Sequence, residues 1–164
     1  MEIMARDIVV RKAKKTELIK IGTLFSETLQ ALPYYNSLAK KCESKKYTPR
    51  KLAEKQSQDP YSVLVAVSES NEVVGFCFNH FDDYTIWLDW FGVKKSKRRH
   101  GIAAAILNGL FEASAKRGAH KVWCDTRSSN EPSKNLLRKM GFKEIVEIKN
   151  HWYNQDFILW ERFL

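Results

Sequence analysis

Between Ser62 and Val93, three β-rich runs follow one another: SVLVAVS, VVGFCFNHF and TIWLDWFGV. Only a SESNE cluster and an acidic DDY separate them. Turns this short leave a strand no partner except its neighbour running the other way. Ser62–Ser68, Val73–Phe81 and Thr85–Val93 are therefore predicted to form an antiparallel meander. Such a sheet has two faces to bury, and the rest of the chain must supply the cover.

Upstream, DIVVRKA (Asp7–Ala13) reads as an opening strand. Thr16 reads as the N-cap of a helix with Leu18, Ile21, Leu24, Phe25 and Leu29 on one face, ending before Pro33. Residues Tyr34 to Gln56 are polar and weakly periodic, with a short helix expected after Thr48 and Pro49 at its first position. Downstream come a helix from about Gly101 to Lys116, a strand over Ala119–Thr126, and a capped helix from Asn130 to about Lys139, stopped by Gly141. Two late strands, FKEIVEI and DFILWERF, close the chain. Strand, helix and strand around Val93–Ala119 make a βαβ-like crossover. The expected fold is α/β (α+β): one domain with a mixed, mostly antiparallel central sheet of about six to seven strands, flanked by about four helices.

A hydrophobic content of 44% excludes a disordered chain. No apolar run approaches the ~20 residues of a membrane span. Cys42, Cys77 and Cys124 are odd in number and scattered, which argues against a disulfide framework or a zinc site. The start, MEIMARD, has no apolar core of a secretory signal, so a soluble cytoplasmic protein is expected.

The net charge of +9 points to an anionic partner, and its placement is informative. Lys94, Lys95, Lys97, Arg98 and Arg99 crowd between the third meander strand and Gly101. Sheets of this kind bind ligands beyond the carboxyl ends of their strands. Gly101 allows close backbone approach, and Ala103 and Ala104 leave room at the first helical turn, where unpaired N–H groups favour anions. These features describe a phosphate cradle. The Gly-Lys-Ser/Thr end of a Walker A loop is absent, as is G-x-G-x-x-G, so a metal-free pyrophosphate fits better. The alternatives are a solvated basic turn and a nucleic-acid-binding module. The second is weakened by the shortness of the cluster and the lack of a stacking platform or recognition helix.

Arg98-Arg99-His100-Gly101-Ile102-Ala103 is similar to the R/Q-x-x-G-x-G/A signature of the GNAT N-acetyltransferase superfamily. Asn130-Glu131-Pro132-Ser133, then Leu136 and Lys139-Met140-Gly141-Phe142, resembles its second motif, one helix and one strand later. Shorter matches in Leu88–Val93, the NEPS tetrapeptide and the DFILWERFL tail look most like diamine and polyamine acetyltransferases. The resemblance implies acetyl-CoA (coenzyme A) as cosubstrate, no metal, and direct attack of a primary amine on the thioester in a ternary complex. It implies Arg98, Arg99, His100, Gly101, Ile102, Ala103 and Ala104 around the pyrophosphate. Asn130 and Ser133 would meet the cofactor's arm. The strand at Phe91, Gly92 and Val93 would offer a backbone N–H to the acyl oxygen, with Gly92 permitting a bulge. A small-molecule amine, or the amine of a peptide or protein, is the implied acceptor, and homodimers follow by analogy.

An amine of pKa near ~10 must lose a proton before it attacks. Asp89 is the candidate base. Strands disfavour Asp, alternation puts it on one face with Trp87 and Phe91, and an apolar setting would raise its pKa. The competing reading pairs it with a nearby Lys. By resemblance its position matches an acidic residue of the polyamine enzymes, and Asp82, Asp83 and Asp89 together would form an acidic patch. Leu137 stands where the family often carries the tyrosine that protonates the leaving thiolate. Tyr153, His151 or a water would have to replace it, and a ligand sensor without catalysis is the alternative. Cys124 reads as a small buried hydrophobe, and Trp87, Trp90, Trp123 and Trp160 as core or groove walls.

Overall fold

A seven-stranded sheet in the order β1-β2-β3-β4-β5-β7-β6 organises the computed structural model, which describes residues 7–164. The reading of the first six residues as carrying no secretory signal falls outside them. The strands are β1 (Ile8–Lys12), β2 (Val63–Ser68), β3 (Val73–Asp82), β4 (Thr85–Val93), β5 (Lys121–Arg127), β6 (Lys143–Ile148) and β7 (Phe157–Phe163). The helices are α1 (Leu18–Ala31), α2 (Ser37–Lys46), α3 (Pro49–Gln58), α4 (Ile102–Lys116) and α5 (Glu131–Lys139).

The meander forms as expected, with β2, β3 and β4 antiparallel in sequence order. Helix α1 departs from expectation at its start. Thr16 caps nothing; it lies in a 3₁₀ turn, and Glu17 accepts from the Lys14 N–H at 2.7 Å while clasping Arg11 at 2.7 Å. Among the described residues five α-helices flank the sheet, against the expected four or so. The extra one, α2, is capped by Asn36, whose side chain accepts from Ala39 N at 2.9 Å. It buries only Ala39 and Glu43, so it shows no apolar stripe to detect.

Each sheet face carries its own core. Ile102, Ile106, Leu107 and Leu110 of α4 pack with Leu64, Val74, Ile86 and Leu88. On the other face Leu18, Ile21, Phe25 and Leu29 of α1 and Leu52 of α3 cover Val63, Val65, Phe76 and Phe78. Fully burying such a side chain is worth ~1.5–3 kcal/mol, and all six residues of β2 are buried because helices lie on both sides.

Two irregularities shape the middle of the sheet. Strands β4 and β5 are parallel but pair only from Thr85↔Lys121 to Trp87↔Trp123, and then part. Within β4, Trp90 opposes Phe78 and Leu88 opposes Asn79, which leaves Asp89 as an extra, unpaired residue. This is a β-bulge, and it resets which face each later side chain meets. Leu88 lies in the α4-side core, Trp90 packs on the α1 side, and Phe91 returns to the α4 side. Alternation therefore fails at this point, and Phe91 does not share a face with Asp89. The bulge predicted at Gly92 occurs at Asp89 instead. Gly92 has a packing reason: a Cβ there would come within 2.7 Å of the Phe76 ring.

Candidate active site

Where β4 and β5 part, a cavity of about 700 Å³ passes through the sheet. Its lining draws on α4 and α5 from one face and on α1, α2 and the β6–β7 loop from the other.

At the α4 end, Gly101 adopts a left-handed conformation, φ 76°, immediately before the helix. Arg99 is also left-handed, φ 66°. This tight double turn aims the first turn of α4 at the cavity, where its N–H groups have no intrahelical acceptors. Gly101, Ile102, Ala103 and Ala104 all line it, joined by Lys97, Arg98 and Arg99. Arg98 is steadied by donating from Nε to the Val93 carbonyl at 3.2 Å. The basic cluster is thus divided: Lys94 turns away to Glu72 at 2.6 Å, and Lys95 and His100 do not line the cavity. Asn130 caps α5 by accepting from Ser133 N at 3.2 Å, and both residues reach the cavity. Phe91, Gly92 and Val93 form the β4 wall.

The opposite end is acidic and aromatic. Asp89 lines it, but its carboxylate is occupied: Lys55 Nζ lies 3.0 Å from Oδ2, and His80 Nδ1 lies 3.1 Å from Oδ1. The lysine pair of the competing reading is present. Asp82 and Asp83 lie at the β3–β4 turn and do not line the cavity. The acids that accompany Asp89 are Glu43 and Asp125, which sequence reasoning missed.

Glu43, 7% exposed, is the hub of this end. It accepts from Trp90 Nε1 at 2.9 Å, from Lys46 Nζ at 2.7 Å and from the Tyr153 hydroxyl. Tyr153 sits in a left-handed backbone, φ 57°, and Lys46 Nζ is also 3.1 Å from its oxygen. Burial and the Glu43 hydrogen bond raise the Tyr153 pKa, so the phenol keeps its proton. Asn36 Nδ2 donates to the Tyr153 carbonyl at 2.9 Å and Arg127 Nε to the Tyr34 carbonyl at 2.9 Å, tying these loops over the groove. Asp125 on β5 accepts from Trp152 Nε1 at 2.9 Å. Burial pushes its carboxyl up to about 6.

Leu137 is fully buried and lines the cavity, so no hydroxyl comes from that position of α5. His151 lies tilted against Trp152, with ring centroids 4.4 Å apart, and stays outside the lining. Cys124 is buried, which holds its thiol protonated well above the usual range. Trp160 belongs to the core, Trp87 and Trp90 are cavity walls, and Trp123 packs edge-on against Trp87 at 4.8 Å. One signal for Asp125 was present in the sequence: an Asp inside the β-rich run VWCDT is as unusual as Asp89 inside TIWLDW. Asn36 likewise marked the start of α2.

A model of the Acetyltransferase (GNAT) family matches residues 27–142. An N-alpha-acetyltransferase of Sulfurisphaera tokodaii is 39% identical over 62 residues, a stretch covering 37% of this chain and 36% of that protein. The chain thus spans little more than a third of that relative. Ard1 from Thermoplasma volcanium superposes with a TM-score of 0.78 over 96% of this chain and 98% of that one, at 16% identity. The yncA protein of Salmonella typhimurium, solved with its cofactor acetyl-CoA, superposes at 0.74 over 96% and 94%, at 17% identity. At such identities the structural likeness speaks for the fold.

Proposed function

The chain belongs to the acetyltransferase (GNAT) family and is an acetyltransferase, and on that premise we propose that it acetylates a primary amine by direct attack, with acetyl-CoA and acceptor bound together. One observation carries this reading. A cationic helix terminus and a carboxylate-lined aromatic groove open into the same cavity from opposite faces of the sheet.

The first end fits coenzyme A. Open N–H groups of α4, the left-handed Gly101 and the cations of Lys97, Arg98 and Arg99 suit a pyrophosphate without a metal. Asn130, Ser133 and the β4 backbone from Phe91 to Val93 would hold the remaining arm and the acyl oxygen. When bound, acetyl-CoA supplies an acetyl group activated as a thioester.

The second end fits an ammonium. Asp89, Glu43 and Asp125 outnumber their partners Lys55 and Lys46, and this surplus of negative charge draws the acceptor in, while Asp89, held by Lys55 and His80, is not the group that takes its proton. Tyr153 keeps its proton, and to protonate a departing thiolate its hydroxyl would turn from Glu43 toward the sulfur, with Lys46 compensating the phenolate left behind. In this way Tyr153 fills the role open at Leu137. Two acceptor classes follow. The local resemblance to polyamine enzymes favours a small diamine, and the N-alpha-acetyltransferase relative favours a peptide amine.

The test is release of coenzyme A from acetyl-CoA across diamines, amino acids and peptides, beside thermal shift with the cofactor. Turnover with one class supports the reading and names the acceptor. A thermal shift without turnover on any amine favours the sensor, and no shift removes the cofactor site.

A further inference from the structure

Three carboxylates line the acceptor end, and two of them have their oxygens occupied. Asp89 faces Lys55 with Oδ2 and His80 with Oδ1. Glu43 gives Oε1 to Lys46 and Tyr153, and Oε2 to Trp90. Asp125 differs. Its Oδ2 accepts from Trp152 Nε1 at 2.9 Å, and among the described residues Oδ1 accepts no hydrogen bond. It is also the best placed. Trp87↔Trp123 is the last pair between β4 and β5, so Asp125 stands two residues beyond the point where the strands part, between Cys124 and Thr126, which line the cavity with it.

Resting on the acetyl-transfer reading above, we propose that Asp125 is the base that takes the proton from the acceptor's ammonium. The N–H bond breaks and its electron pair stays on nitrogen as the lone pair that attacks. The proton forms an O–H bond at Oδ1, turning ammonium and carboxylate into neutral amine and carboxylic acid, and the acid then returns it to cavity water. Trp152 holds the other oxygen through its indole N–H.

The groups around Asp125 support this role. Glu43 of α2 and Asp89 of β4 press its charge, Lys46 of α2 relieves it, the Tyr35 phenol before α2 feels its field, and Trp152 donates to it from the β6–β7 loop. Burial foremost, then the two carboxylates, carry its pKa to about 6 against the Trp152 hydrogen bond. A base poised there is ionised at neutral pH yet basic enough to accept a proton.

The experiment compares wild type, D125N and D89N. For D125N, kcat/KM falls by about 10²-fold or more with cofactor-induced thermal shift intact, and the acidic limb of the pH–rate profile disappears. D89N keeps that limb. A D125N profile that still bends like wild type would overturn the proposal. A readout independent of turnover is an NMR titration of side-chain carboxyl carbons in the enzyme without acetyl-CoA. The signal missing from D125N titrates near 6, and putrescine or an alanyl peptide lowers it, because an adjacent ammonium favours the carboxylate. Titration in the ordinary carboxylate range, or indifference to both amines, would sink the assignment whatever turnover shows. If wild type acetylates no amine while this titration behaves as expected, the acetyl-transfer reading fails and takes the base role with it, leaving Asp125 as a carboxylate that binds an amine.

Discussion

The Tyr153 hydroxyl donates to the buried Glu43 carboxylate across 110 residues of chain. That contact fastens the β6–β7 loop to α2 and holds a phenol at the groove in a left-handed backbone that L residues adopt at some cost. Removing the hydroxyl alone should spare the fold and the cofactor site. Tyr153→Phe is expected to lower kcat by about 10²-fold with the KM for acetyl-CoA unchanged, measured by coenzyme A release.

Glu43→Ala strips the acceptor from both Trp90 Nε1 and Tyr153. Both donors are part-buried, so orphaning each costs at most about 1–3 kcal/mol, and this variant unfolds at lower denaturant than Tyr153→Phe does. In the double mutant the losses fall short of additive, because both single changes break one shared contact. Strict additivity in urea melts would show that the two residues are not coupled.

Gly101→Glu places a carboxylate at the cationic end and forces a side chain into a φ of 76°. Coenzyme A should then give no thermal shift. Gly101→Ala separates the causes: it carries the backbone penalty of about 1–2 kcal/mol without the charge, and should retain weakened binding.

Asp89→Asn leaves Lys55 and His80 without their carboxylate and reduces the pull on an ammonium. The KM for the amine should rise several-fold while kcat changes less. A large loss in kcat at unchanged KM would make Asp89 the base after all.

Asp125 also predicts a stability profile. Its folded pKa, near 6, lies above the usual carboxylate value near 4. Between those pH values the folded chain keeps a proton that the unfolded chain has released. Stability from this group therefore falls as pH rises through the window and stays lowered above about 6. The penalty is about 1–3 kcal/mol, with cavity water screening the larger value. Asp125→Asn should therefore melt higher than wild type at pH 7, by about 2–4 °C per kcal/mol, and the two should converge near pH 4. A lower melting temperature at pH 7 would mean that the charge is a structural one.

Much of this was legible in the sequence because it is written locally. Alternation and short turns dictated the meander, Gly101 after a basic run dictated where α4 starts, and Asn130 three residues before Ser133 dictated the cap of α5. Each depends on neighbours a few residues apart, where covalent geometry limits the outcomes. Tertiary structure decided the acceptor end. Helix α2 buries a carboxylate in place of an apolar stripe, so no periodicity announced it. The bulge at Asp89 depends on its pairing with β3, and it moved Phe91 to the other face. Lys55 met Asp89, and Glu43 met Tyr153, only because separate elements converge on one cavity. Which carboxylates are occupied and which one stays open is a property of that convergence, set by long-range packing that no local pattern encodes.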